Sequence, residues 1–123
     1  MKTVSTDKAP SAIGPYSQAK IAGGLVFTSG QIPVNPATGI IEANDVAGQT
    51  EQVCKNVIAL LEAAGSSADK VVKTTCFLSD IKHFAAFNGV YAKYFPSAPA
   101  RSCVAVKDIP KACLVEIEAI AEL

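Results

Sequence analysis

The chain has no tryptophan, one methionine and one histidine, His83, and its eleven basic residues are balanced by eleven acidic ones. Zero formal charge without a Lys/Arg cluster counts against nucleic acid as the main partner, because such binding rests on neutralising phosphates. No stretch approaches the ~20 apolar residues of a membrane span. The start Met1-Lys2-Thr3-Val4-Ser5 lacks the apolar run of a signal peptide. No membrane partner is expected, and the predicted location is cytoplasmic. The four cysteines, Cys54, Cys76, Cys103 and Cys113, include no Cys-x-x-Cys pair and read as reduced thiols. With His83 alone, no metal site is expected. Neither Gly23-Gly24 nor Gly30 opens a helix with the spacing of a phosphate-binding fingerprint, so no cofactor is expected either.

What remains is apolar and compact. Half of the 123 residues are hydrophobic, 18% are charged and the mean hydropathy is +0.30. That length fits a single domain over residues 1–123. So small a body has much surface per unit volume, and this apolar content predicts that other subunits cover part of it.

Ser17 to Ile21 and Leu25 to Ser29 flank Ala22-Gly23-Gly24 and read as a β-hairpin. Residues 30–45, with Pro33, Pro36 and Gly39, read as an irregular loop with a small hairpin at its tip. Apolar residues from Val46 to Ala64 follow the helical period, with Asp45 as cap and Gly65 at the end. Val71 to Leu78 has the β-branched and aromatic content of a strand. Asp80 then caps a second helix, whose stripe Phe84, Phe87, Val90, Tyr91, Tyr94 and Phe95 belongs to the core and stops at Pro96. Ser102 to Val106 and Leu114 to Ala121 supply two more strands. The order predicts an α/β (α+β) domain: one mixed sheet with two helices on one face, the other face meeting water or neighbouring subunits.

Arg101 is the only charged side chain between Lys93 and Lys107, and it opens an apolar run that reads as a buried strand. A guanidinium keeps its charge and therefore needs an anion or water. Two partners are open: an internal ion pair with Glu116 or Glu118, or a ligand carboxylate held by the planar fork of donors. By strand alternation Arg101, Cys103 and Ala105 share one face, and Glu116, Glu118, Ile120 and Glu122 share another. The two glutamates can be an acid and a base, a solvated edge, or partners for Arg101 and Lys73. Gly14-Pro15-Tyr16 forms a rigid bend with Tyr16 at the corner.

Four motifs now stand in register: Gly14-Pro15-Tyr16-Ser17-Gln18-Ala19, Thr28-Ser29-Gly30-Gln31-Ile32-Pro33, Pro99-Ala100-Arg101-Ser102-Cys103-Val104 and Val115-Glu116-Ile117-Glu118-Ala119. Together they resemble the Rid (YjgF) family, and within it the RidA subgroup of enamine/imine deaminases, over nearly the whole chain. The resemblance implies a chorismate mutase-like fold, a homotrimer with clefts between subunits, and a small imino or 2-oxo acid as the bound partner. It also implies hydrolysis of 2-iminobutanoate and 2-iminopropanoate, released by PLP-dependent dehydratases, to 2-oxo acids and ammonia. By match, Arg101 would clamp the substrate carboxylate and the Cys103 backbone would contact the imine nitrogen. Glu116 would position water or that nitrogen, while Tyr16, Ser29, Gly30 and Asn88 would line the pocket.

Such chemistry needs no metal, because an imine carbon is already electrophilic and more so when its nitrogen is protonated. Cys103 has no base tied to it in sequence, so its main-chain groups are favoured over its thiol. His83 reads as a surface residue at a helix start and Glu118 as an ion-pair partner. Relatives have also been described as translation inhibitors and endoribonucleases, which the neutral charge disfavours. A non-catalytic, carboxylate-binding or chaperone-like trimer is the remaining reading. Fold alone would also admit chorismate mutase, but fold is a poor guide to chemistry, and its dicarboxylate substrate asks for more than the one clear Arg, other cations having no place assigned by the sequence.

Overall fold

The structure, a computed structural model, describes all residues from Met1 to Leu123. Six strands form one sheet: β1 (Lys2–Val4), β2 (Ala19–Ala22), β3 (Leu25–Thr28), β4 (Val71–Leu78), β5 (Ala100–Ala105) and β6 (Val115–Glu122). Their order across the sheet is β1-β2-β3-β6-β4-β5, and only the β4–β5 pair is parallel. Helices α1 (Val46–Ala63) and α2 (Phe84–Tyr94) pack on each other and on one face. The mixed sheet with one covered face is the architecture expected from the sequence.

Local chemistry explains the elements. Gly23 and Gly24 hold φ of 59° and 76°, which closes the β2–β3 hairpin without a Cβ penalty. Asp45 caps α1 by accepting from the Gly48 N–H at 2.9 Å. The helix ends on Gly65 at φ 89°, with Gly65 N–H donating to Glu62 and Ser66 N–H to Leu61, a pairing that satisfies its last carbonyls. Val53, Cys54, Val57 and Leu61 from α1 meet Cys76, Leu78, Val115, Ile117 and Ala121 from the sheet in one core. Loop 30–45 carries the small hairpin, marked by a bridge between Val34 and Ile41, and the buried Asn56 anchors it through the Ile32 and Val34 carbonyls.

Three expectations change. β1 was not foreseen, because three residues are too few to show alternation and β2 supplies the pairing. Asp80 caps a short 3-10 turn, Ile81–His83, that leads into α2 at Phe84 and leaves His83 partly exposed at the junction. β5 starts at Ala100 and is an edge strand, not a buried one: β4 is its only neighbour, and Ala100, Ser102, Val104 and Ala105 are exposed in the single chain.

Candidate active site

Arg101 is the chain's only arginine. On β5 it stands in register with Thr74 of β4, and Cys103 with Cys76, so both point to the helix-covered face. The residues meeting Arg101 follow the helical step along α2: Phe84, Phe87, Asn88 and Tyr91. Its guanidinium carbon lies 4.8 Å from the Tyr91 ring centre, 5.5 Å from Phe84 and 5.8 Å from Phe87. Such faces attract a cation and hold its plane. Arg101 Nη1 donates to Asn88 Oδ1 at 2.8 Å.

No carboxylate closes the fork. The only ion pair in the chain is Lys82–Asp80, so the internal pairing considered for Arg101 with Glu116 or Glu118 is absent, and Glu118 has no ion-pair partner. The reason is geometric. Glu116 and Glu118 of β6 are in register with Phe77 and Thr75 of β4, on the open face, while Thr74 and Cys76 face the helices. Arg101 and Glu116 therefore project from opposite faces of one sheet.

Glu116 sits in a second group of residues. Gln31 and Ile117 exchange backbone hydrogen bonds at 2.8 and 3.1 Å, which stitches the start of loop 30–45 onto β6. Gly30 is thereby pressed against the Glu116 carboxylate: a Cβ on Gly30 would lie 2.9 Å from Glu116 Cδ and closer still to Oε2. Burial first, and the neighbouring Glu118 charge second, push the Glu116 carboxyl above its usual range. The Ser29 hydroxyl is taken up by the Ser17 carbonyl, to which it donates at 2.5 Å. Tyr16 is 51% exposed and, with Gly30, lines a cavity of about 220 Å³.

The sequence-derived residues thus fall into two clusters. Arg101, Asn88 and Cys103 belong to the β5–α2 edge, whereas Glu116, Gly30 and Tyr16 gather around β6 and loop 30–45. The Cys103 thiol is half-buried, and burial raises its pKa more than the Arg101 charge lowers it, which disfavours a thiolate nucleophile. The sequence pattern assigns the aromatic stripe to the core alone, but Phe84 is exposed and its ring, like those of Phe87 and Tyr91, faces Arg101. The signal of this platform was present in the i, i+3, i+7 spacing of Phe84, Phe87 and Tyr91, but its contact with Arg101 depends on the β4–α2–β5 crossover.

Residues 6–123 match the family model described as Endoribonuclease L-PSP. The chain belongs to this family, known also as YjgF/Rid. A RutC family protein from Haemophilus influenzae is 53% identical over 123 residues, covering 96% of this chain and 94% of that protein. The 2-iminobutanoate/2-iminopropanoate deaminase of Escherichia coli K12 is 50% identical over 124 residues, covering 98% and 96%. Among solved structures, E. coli TdcF with bound serine superposes with a TM-score of 0.95 at 46% identity, covering 100% of this chain and 99% of that one. Similarity at this level extends along the whole chain, and deaminases of C–N bonds are among the family's members.

Proposed function

We propose that the protein is a 2-iminobutanoate/2-iminopropanoate deaminase acting as a homotrimer, with each site built from two copies. The observation that carries this reading is the Arg101 guanidinium. It is oriented by three rings and Asn88, and it has no acidic partner in its own chain. A small 2-imino acid supplies the missing carboxylate, which the fork accepts in two parallel hydrogen bonds.

Because Arg101 and Glu116 lie on opposite faces, a site that uses both takes Arg101, Asn88 and Cys103 from one copy and Glu116, Gly30 and Tyr16 from the next. The open face supports such an arrangement, since Phe27, Val72 and Val104 are left exposed there or at its edge. Serine, the ligand named for the TdcF structure, is itself a small amino acid with the carboxylate that Arg101 is suited to hold.

Hydrolysis then needs little beyond placement. Arg101 fixes the carboxylate, and the Cys103 main chain contacts the imine nitrogen. Glu116, held against Gly30, orients a water towards the imine carbon and accepts one of its protons. Oxygen adds to that carbon and the proton passes to nitrogen, giving a carbinolamine; its hydroxyl proton then moves to nitrogen as the C–N bond breaks, and a 2-oxo acid and ammonia leave. The raised carboxyl of Glu116 suits this exchange, because its ionised and protonated forms lie closer in energy than in water.

The test is to couple the protein to a threonine dehydratase and follow decay of the released imine. Wild type should accelerate it and Arg101→Ala should not. Binding of 2-oxobutanoate with imine decay left at the uncatalysed rate would establish a non-catalytic carboxylate receptor instead.

A further inference from the structure

Lys111 lies in the segment that connects β5 to β6 and has a backbone that residues with a Cβ rarely adopt. Its φ is 60°, and that of Ala112 after it is 53°. Pro110 opens this tight turn, which the Ala112 N–H closes onto the Ile109 carbonyl at 3.0 Å. Two consecutive left-handed residues, neither of them glycine, are a strained arrangement of the kind that clusters at ligand sites.

Lys111 is exposed and stands beside a cavity. Lys111 lines the 220 Å³ cavity that also has Tyr16 and Gly30 in its wall, and it is the only charged residue there. The rest of the wall is apolar or neutral, including Ile13, Gln31 and Ile32. No carboxylate pairs with Lys111. Gly30 is shared between this cavity and the Glu116 carboxylate, so a substrate reacting at Glu116 has the cavity beside it. The methyl or ethyl group of the two imines named above fills little of such a space, given that one water occupies ~30 Å³ in the liquid.

We propose that Lys111 is a specificity-determining residue that adapts the site to 2-imino dicarboxylates. Arg101 of one copy holds the 1-carboxylate, and Lys111 of the other receives the carboxylate at the end of the side chain. This rests on the deaminase reading. The reaction is unchanged: water adds across C=N, the 2-oxo dicarboxylate and ammonia form, and the distal carboxylate takes no part. As a mobile point charge, Lys tolerates distal groups at more than one reach.

The experiment compares kcat/KM for 2-iminoglutarate and 2-iminobutanoate, each generated in situ by an amino-acid oxidase, in wild type, Lys111→Met and Lys111→Gly. The ratio of dicarboxylic to monocarboxylic imine should fall at least tenfold in both variants. Lys111→Gly removes the side chain while suiting the left-handed backbone, and thermal unfolding of both variants separates a loss of selectivity from a loss of fold. An unchanged ratio, with wild type turning over 2-iminobutanoate, overturns the role of Lys111 and leaves the deaminase reading standing. Thermal protection provides a readout apart from turnover: 2-oxoglutarate should protect wild type more than 2-oxobutanoate does, and Lys111→Met should abolish the difference. Equal protection in wild type overturns the proposal even if no imine is turned over.

Discussion

Arg101 Nη1 donates to Asn88 Oδ1 at 2.8 Å, a bond that joins the edge strand β5 to helix α2 and uses only one of the guanidinium's five N–H donors. Arg101→Lys keeps the charge but loses the planar fork. A hydrogen bond to a charged group is worth ~1.5–3 kcal/mol, so kcat/KM on 2-iminobutanoate should fall by about 10- to 150-fold. Asn88→Ala leaves the fork and removes its tether, and should act mainly by raising KM. Steady-state kinetics on both variants checks the pair.

Gly30→Ala should damage the opposite half of the site. Gly30 does not have a positive φ, so the penalty is purely one of space: the new methyl collides with the Glu116 carboxylate. Displacing that carboxylate should lower kcat at least tenfold, and overpacking should cost ~1–3 kcal/mol of stability. Urea unfolding alongside kinetics separates the two losses.

Tyr91 serves both core and site. Its hydroxyl shares a hydrogen bond of 2.6 Å with Thr74 while its ring lies under Arg101. Tyr91→Phe keeps the ring and leaves the Thr74 hydroxyl only the weak Cys76 thiol as partner, for a loss of ~1–2 kcal/mol in urea unfolding. Tyr91→Ala opens a cavity as well, costs ~3–5 kcal/mol, and should raise KM more than Tyr91→Phe does because the platform beneath Arg101 is gone.

The pH profile should report Glu116 through its neighbour. Burial and the Glu118 charge both raise the Glu116 pKa, so the acid limb of kcat/KM should lie above the usual glutamate range. Glu118→Gln removes a negative charge, which makes ionisation of Glu116 easier and lowers its pKa. The acid limb should then move to lower pH. A limb that stays in place in Glu118→Gln would mean that another group controls it.

Local signals were legible wherever the chain itself writes them. Asp45 and Gly65 bounded α1, the paired glycines closed the hairpin, and the alternation of Val115, Ile117, Ala119 and Ala121 against Glu116 and Glu118 fixed the two faces of β6. Sequence alone did not show which strand would become an edge. The apolar run after Arg101 looks buried because the pattern does not say how many neighbours a strand has, and β5 has one. Pairing Arg101 with Glu116 or Glu118 failed for a related reason. Alternation assigns faces within a strand, while the relation between β5 and β6 depends on their common register with β4. Lys111 carried no signal at all, since its left-handed backbone follows from a turn that no glycine marks.

The proposed two-copy site makes a prediction that a site within one chain cannot share. Arg101→Ala and Glu116→Gln should each be inactive, because each removes one half of every site. Refolded together, they can place an intact Arg101 from one copy opposite an intact Glu116 from the other. Equal random mixing in a closed ring should restore about a quarter of the sites. The opposite placement of the two side chains on the sheet requires this recovery if both act on one substrate. Imine hydrolysis by the mixture, measured against each variant refolded alone, decides the matter: activity no higher than the sum of the separate variants would show that Arg101 and Glu116 do not serve a common site.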